Sequence, residues 1–209
     1  ESCSNAVGSL SFSSATGASV SVESIGDKAF FGCASLTDHL YFPPNMKSLG
    51  VSAFQGCRNL NGTIVFPTNA NFTTIPDLAF NGCSSLTGIS SQTGNGTSLM
   101  YLPSSGKNGV IPDGLIIPPA VTKIGLEAFK GCTAFAGALN LQYAPTNAIA
   151  QLGDSAFENC SSFTSLVLPT TSLAQIPFRC FRNCSKLAAL NLPAAITTIM
   201  GGAFQSCAL

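Results

Sequence analysis

Apolar residues recur along this chain in a frame of about two dozen residues. The clearest copy is Ile25-Gly26-Asp27-Lys28-Ala29-Phe30-Phe31-Gly32-Cys33-Ala34-Ser35-Leu36. Its skeleton, I-G-x-x-A-F-x-G-C-x-x-L, returns from Leu49, Ile75, Ile124, Leu152, Ile176 and Ile199 with small changes. Between copies stand short β-branched runs closed by proline, such as Thr63-Ile64-Val65-Phe66-Pro67 and Ser165-Leu166-Val167-Leu168-Pro169, and these predict strands. Proline lacks an N–H, so it ends each ladder and turns the chain. In Ala-Phe-x-Gly-Cys the apolar positions fall at i, i+1 and i+4, which predicts one helical or 3-10 turn. The phenylalanine is core filler, the alanine is crowded by the next turn, and the glycine allows a left-handed cap. Cys180 takes the alanine position in its copy, which marks a small buried site.

A unit this short cannot bury its own apolar face, so neighbours must stack. The expected fold is an α/β repeat solenoid, one domain over 1–209, with about eight or nine turns. Both ends read as truncated units. Cys3 and a strand at Ser9-Leu10-Ser11-Phe12 open the chain partway through a turn, and Cys207-Ala208-Leu209 stops it mid-unit. The expectation is that the parent protein continues beyond one or both ends, or that a partner covers them. One turn, 84–123, is irregular: Ser90 to Ser98 is an insertion, and Ile111-Pro112-Asp113 runs into Gly114-Leu115-Ile116-Ile117-Pro118 without the Ala-Phe-x-Gly-Cys piece. Residues 90–110 are the segment expected to move most.

Composition removes several function classes. Charged residues are 9% of the chain and cancel to zero, which leaves no electrostatic case for nucleic acid or an anionic membrane. No apolar run approaches the roughly 18 residues of a membrane-spanning helix. The first residues carry neither a basic nor an apolar signal region, so a secretion signal has been removed or lies outside this chain.

Nine cysteines suggest a disulfide framework until their spacing is considered. Cys33, Cys57, Cys83, Cys132, Cys160, Cys184 and Cys207 each follow a repeat phenylalanine by three residues, and Cys3 is in phase. A residue fixed by the repeat is fixed by packing. Stacked side chains about 4.8 Å apart are also farther apart at Cβ than the ~3.8 Å mean of a bridge. A ladder of buried thiols, with no disulfide, is expected. Catalytic chemistry has little to work with: His39 is the only histidine, and no G-x-S-x-G, HExxH, EF-hand loop or P-loop is present. Neither a metal nor another cofactor is implied.

The consensus I-G/P-x-x-A-F-x-G/N-C-x-x-L-x-x-L-x-L-P resembles the BspA-like leucine-rich repeat over nearly the whole chain. The resemblance implies a right-handed leucine-rich-repeat superhelix with a parallel β-sheet on the concave side. It also implies secretion or surface anchoring in bacteria, and adhesion to host matrix proteins or other cells. It supplies no catalytic residues. With the strands on the concave side, Leu40, Phe42, Ile64, Phe66, Leu139, Leu141, Leu166, Leu168, Leu190 and Leu192 point to the core. Their neighbours point outward, and the candidate binding residues are His39, Tyr41, Thr63, Val65, Ile116, Asn140, Val167 and Asn191, with Tyr101 as a further aromatic. The expected role is a non-enzymatic surface module that binds a protein or glycan of a host or neighbouring cell. A structural spacer holding other domains away from the cell is the alternative.

Overall fold

The computed structural model of the chain describes residues 8–11, 22–67, 69–91, 114–118, 120–143 and 147–209. Its backbone is a stack of coils, each with three sides: a long strand, a two-residue strand and a hydrogen-bonded turn. The long strands form one eight-stranded parallel sheet: Gly8–Ser11, Leu36–Tyr41, Thr63–Phe66, Gly88–Ser91, Gly114–Ile116, Gly137–Asn140, Phe163–Val167 and Ala189–Leu190.

The third side corrects one expectation: no helix occurs among the described residues, and Ala-Phe-x-Gly-Cys is a chain of tight turns. Its N–H groups divide their work. In the first copy Ala29, Phe31 and Cys33 donate three residues back, to the carbonyls of Gly26, Lys28 and Phe30. Lys28, Phe30 and Gly32 instead donate across to the next coil, to Val51, Ala53 and Gln55 at 2.7–2.9 Å. The same three cross-links join each of the six successive junctions, ending with Arg179, Phe181 and Asn183 on Gly201, Ala203 and Gln205. The alternation requires left-handed backbone at two places per copy. One precedes the alanine (Lys28, Ser52, Leu78, Glu127, Ser155, Arg179) and the other follows the variable residue (Gly32, Gly56, Gly82, Gly131, Asn159, Asn183). A helix cannot contain such residues. Each non-glycine residue there costs roughly 1–2 kcal/mol, offset by backbone hydrogen bonds that would otherwise be orphaned.

These cross-links set the phenylalanines in register. Phe30, Phe54, Phe80, Phe129, Phe157, Phe181 and Phe204 form one continuous stack, with centroids 4.9–5.6 Å apart and planes within 11° of parallel. Each cysteine serves the coil before its own. Cys57, Cys83, Cys132, Cys160, Cys184 and Cys207 donate Sγ–H to the carbonyls of Phe30, Phe54, Phe80, Phe129, Phe157 and Phe181 at 3.1–3.3 Å. That carbonyl already accepts the Cys N–H of its own coil, so the thiol occupies its second lone pair. Burial pushes the Cys184 thiol up to about 12 and raises Cys132 and Cys160 strongly, so these sulfurs stay protonated donors.

The short strands do not form one continuous sheet. Ser24–Ile25 pairs with Ser48–Leu49; Thr74–Ile75, Lys123–Ile124 and Gln151–Leu152 pair in turn; Gln175–Ile176 pairs with Thr198–Ile199. The two breaks coincide with Pro76 and Pro177. Elsewhere the residue after the strand donates to the coil before it, as Gly125 does to Ile75, Gly153 to Ile124 and Met200 to Ile176 at 2.8–2.9 Å. Proline has no N–H to give. Among the described residues no ladder bond joins 150–152 to 174–176, whereas Ala150 and Gln151 both donate to Thr122. The amides of Ala174 and Gln175 are therefore expected to exchange with deuterium well before those of Ala150 and Gln151. Equal protection measured by NMR would refute the break.

Among the described residues the irregular turn contributes one extra strand to the long sheet. Gly114–Ile116 lies between Gly88–Ser91 and Gly137–Asn140, while Leu78, Phe80 and Gly82 bond directly to Leu126, Ala128 and Lys130 at 2.8 Å. Ser90 and Ser91, read as insertion, belong to the strand pairing with Val65 and Phe66. The rest of the 90–110 loop lies outside the described residues. At the far end of the sheet Leu192 is 45% exposed and Leu190 half-buried, against the expectation of core positions, because no described strand follows Ala189–Leu190.

Candidate functional site

The outward side of the long sheet places the candidate residues in two groups. The first is His39, Tyr41 and Thr63. Asp38 takes a left-handed conformation (φ 65°) that shifts the register and sets His39 beside Tyr41, with ring centroids 5.7 Å apart. His39 Nδ1 accepts the Thr63 N–H at 3.0 Å, a capping role that sequence spacing gave no sign of. Tyr41 is 42% exposed and Thr63 half-buried.

The second group is Ile116, Asn140 and Val167, which share one rung of the sheet. Val167 is 42% exposed. Asn140 is half-buried, and its Oδ1 accepts the Gln142 N–H at 2.9 Å. Replacing Asn140 by alanine is thus expected to cost about 0.5–1.5 kcal/mol, the net worth of one hydrogen bond, with binding studies read against that shift in melting. Asn191 is exposed just past the last strand. Of Ile116 only the backbone is described, and Tyr101 lies outside the described residues.

Val65 is a correction: on the outward side of its strand it is only 1% exposed, and it offers no contact surface. It shares a rung with Tyr41 and Ser90 in the middle of the sheet. The signal was available, since Ile64-Val65-Phe66 is an unbroken apolar run, the mark of a strand covered on both faces.

The turn side carries the charge network. Glu158, its side chain 7% exposed, meets Lys130 at 3.1 Å and Arg182 at 3.3 Å from the flanking coils, and Lys130 also meets Glu127 at 2.8 Å. Burial raises the Glu158 carboxyl, but Lys130, Ser155 and Arg182 outweigh it and hold it below the ordinary carboxylate range. A folded-state value below the unfolded one contributes stability above the unfolded value, and that contribution is lost as pH falls through the folded one. Acid titration of stability is expected to be shallower in Glu158→Gln than in the native chain. An identical acid slope would contradict the pairing.

An open groove of about 520 Å³ lies on the short-strand side, where the Pro177 break separates Gln151–Leu152 from Gln175–Ile176. Asp77, Lys123, Leu126, Asp154 and Ser172 are among its walls. Among the described residues no group of three or more His, Cys, Asp or Glu is placed to hold a metal. Among the described residues no helix is long and apolar enough to cross a membrane.

The chain matches the BspA type leucine rich repeat region in six copies, over residues 5–101 and 112–209. Among solved structures, a leucine-rich repeat protein from Bacteroides ovatus is similar with a TM-score of 0.67 and 27% identity, over 88% of this chain and 38% of that one. The leucine rich repeat protein of T. pallidum is similar in fold, with a TM-score of 0.64 and 23% identity over 92% of this chain and 73% of that one. This chain therefore spans 38% of the length of the Bacteroides ovatus protein. No curated protein matches.

Proposed function

The chain belongs to the BspA type leucine rich repeat family, a family of interaction and structural scaffolds with no catalytic family indicated, and from that premise we propose that it is a non-enzymatic adhesion module. It works outside the cell or at its surface, with the long sheet as a concave binding face for a protein, or for a glycan, of a host or neighbouring cell. The observation that carries the reading is the exposure of Tyr41 and Val167, each 42%, on a side of the sheet where the fold needs no large apolar group. Their neighbours His39, Thr63 and Asn140 are polar, with no carboxylate, lysine or arginine among them, which suits close contact at an interface.

The test is a binding panel of host matrix proteins and glycans with the purified chain. Saturable binding to one class supports the adhesin and names its ligand. Absence of binding across the panel favours the second reading, a spacer, whose support is the stack itself: six identically bonded junctions make a stiff rod.

A further inference from the structure

A second surface follows the corner where the short strands meet the turns. The residue just before the left-handed position reads, coil by coil, Asp27, Val51, Asp77, Leu126, Asp154, Phe178. Acid and large apolar residue alternate over these six coils, and Gly201 takes the place in the seventh, so six of the seven coils carry a two-coil period that the core does not require. The backbone bonds hold these residues in one row. Val51 N–H donates to Asp27 Oδ1 at 2.7 Å, Leu126 N–H to Asp77 Oδ1 at 2.8 Å, and Phe178 N–H to Asp154 Oδ1 at 3.1 Å. Ser52 and Glu127 close the intervening junctions by donating to the Asp77 and Asp154 carbonyls at 3.0 Å.

The capping explains the aspartates but not the residues they cap, since any amino acid except proline supplies the N–H. Yet Val51 is 39% exposed, Leu126 43% and Phe178 39%, the last with the Arg179 guanidinium 4.6 Å over its ring. None of the three carboxylates is in an ion pair among the described residues. The open groove walled by Asp77, Leu126 and Asp154 lies against the middle of the row.

We propose that this row docks an amphipathic helix bearing basic residues, supplied by a partner protein. Like residues in the row recur every two coils, about 9.6 Å at a coil spacing of ~4.8 Å. A helix repeats one face every seven residues, about 10.5 Å at 1.5 Å per residue, with another residue of that face halfway along. Apolar side chains at the heptad positions then meet Val51, Leu126 and Phe178, and lysines between them meet the aspartates. An extended strand returns to one face every ~6.7 Å and falls out of step within two contacts. The acidic row selects the basic partner.

The probe is a synthetic helical peptide of three heptads with leucine at the first and lysine at the fifth position of each. It is titrated calorimetrically against the chain beside a peptide of the same composition in scrambled order. Two variants address the row: Asp77→Asn with Asp154→Asn, which keeps each Oδ1 cap and removes the charge, and Leu126→Ser with Phe178→Ser. A third, Tyr41→Ser with Val167→Ser, addresses the long sheet. The proposal expects saturable one-to-one binding of the patterned peptide, weakened at least tenfold by either row variant with melting unchanged, and unaffected by the sheet variant. It is overturned by no saturable binding, by equal binding of the scrambled peptide, by retention in both folded row variants, or by loss in the sheet variant alone.

Discussion

Replacing Phe54 by alanine is expected to destabilise the chain by about 3–5 kcal/mol, the range for emptying a buried aromatic site. The upper part of that range is argued from the surroundings. Phe54 is fully buried, stacked 4.9 Å from Phe30 and 5.6 Å from Phe80, with the Phe42 edge 5.8 Å away. The backbone on both sides is fixed by the Phe30 N–H to Ala53 and Phe54 N–H to Ala79 bonds, so the site cannot collapse onto the cavity. Phe31, one residue after Phe30, is 46% exposed. Phe31→Ala is therefore expected to change stability by less than about 1 kcal/mol, since exposed positions lie near ±0.5. Urea denaturation of the two variants measures the contrast, and similar losses would refute the register of the stack.

The second large effect concerns a glycine. A Cβ on Gly125 would stand 2.3 Å from Asp77 Oδ1, 2.5 Å from the Asp77 nitrogen and 2.7 Å from the Pro76 carbonyl carbon. Two of these three atoms are backbone, held by cross-links to coils on either side, so neither coil can yield alone. Gly125→Ala is expected to cost about 3 kcal/mol, the upper end of the usual overpacking range, and to loosen the Asp77 cap on Leu126. Gly26 occupies the same place in the first copy, but a Cβ there meets nothing within 4 Å. Gly26→Ala is accordingly expected to stay within about 0.5 kcal/mol, as surface changes do. Denaturation curves of the pair decide whether contact between coils, and not the residue type, governs this position.

Much of the fold was legible because packing wrote itself into the repeat. Phenylalanine and cysteine recur at fixed phase since each touches its own counterpart one coil away. The residues predicted as core from Leu40 through Leu168 are buried for the same reason. The helical turn was misread because spacing at i, i+1 and i+4 suits a helix and a stacked turn equally. What distinguishes them is left-handed backbone at Lys28 or Leu78, residues that carry no sign of it. The breaks in the short-strand side were spelled out by Pro76 and Pro177. Their meaning appears only when the donors of Gly125 and Gly153 show what the prolines lack.

The candidate site was legible in its alternation and less so in its detail. Tyr41 and Val167 are exposed where alternation put them, whereas Val65 is covered and around Asn191 the alternation fails, since Leu192 is exposed as well. His39 and Asn140 hold backbone N–H groups as well as facing outward, a double role that depends on the local bulge and turn. The acid–apolar row needed the coils to be superposed, since Asp27 and Val51 are two dozen residues apart and adjacent only in the stack.

Stability rests on the stack, and the proposed binding on the outward side of the long sheet. The most direct test of that division is the variant Tyr41→Ser, Val167→Ser, Asn191→Ala, measured for both melting and affinity against whichever ligand the panel returns. The expected result is a melting temperature within a few degrees of the native chain and binding weakened at least tenfold. Undiminished binding by the folded variant would contradict the account and place recognition on another face.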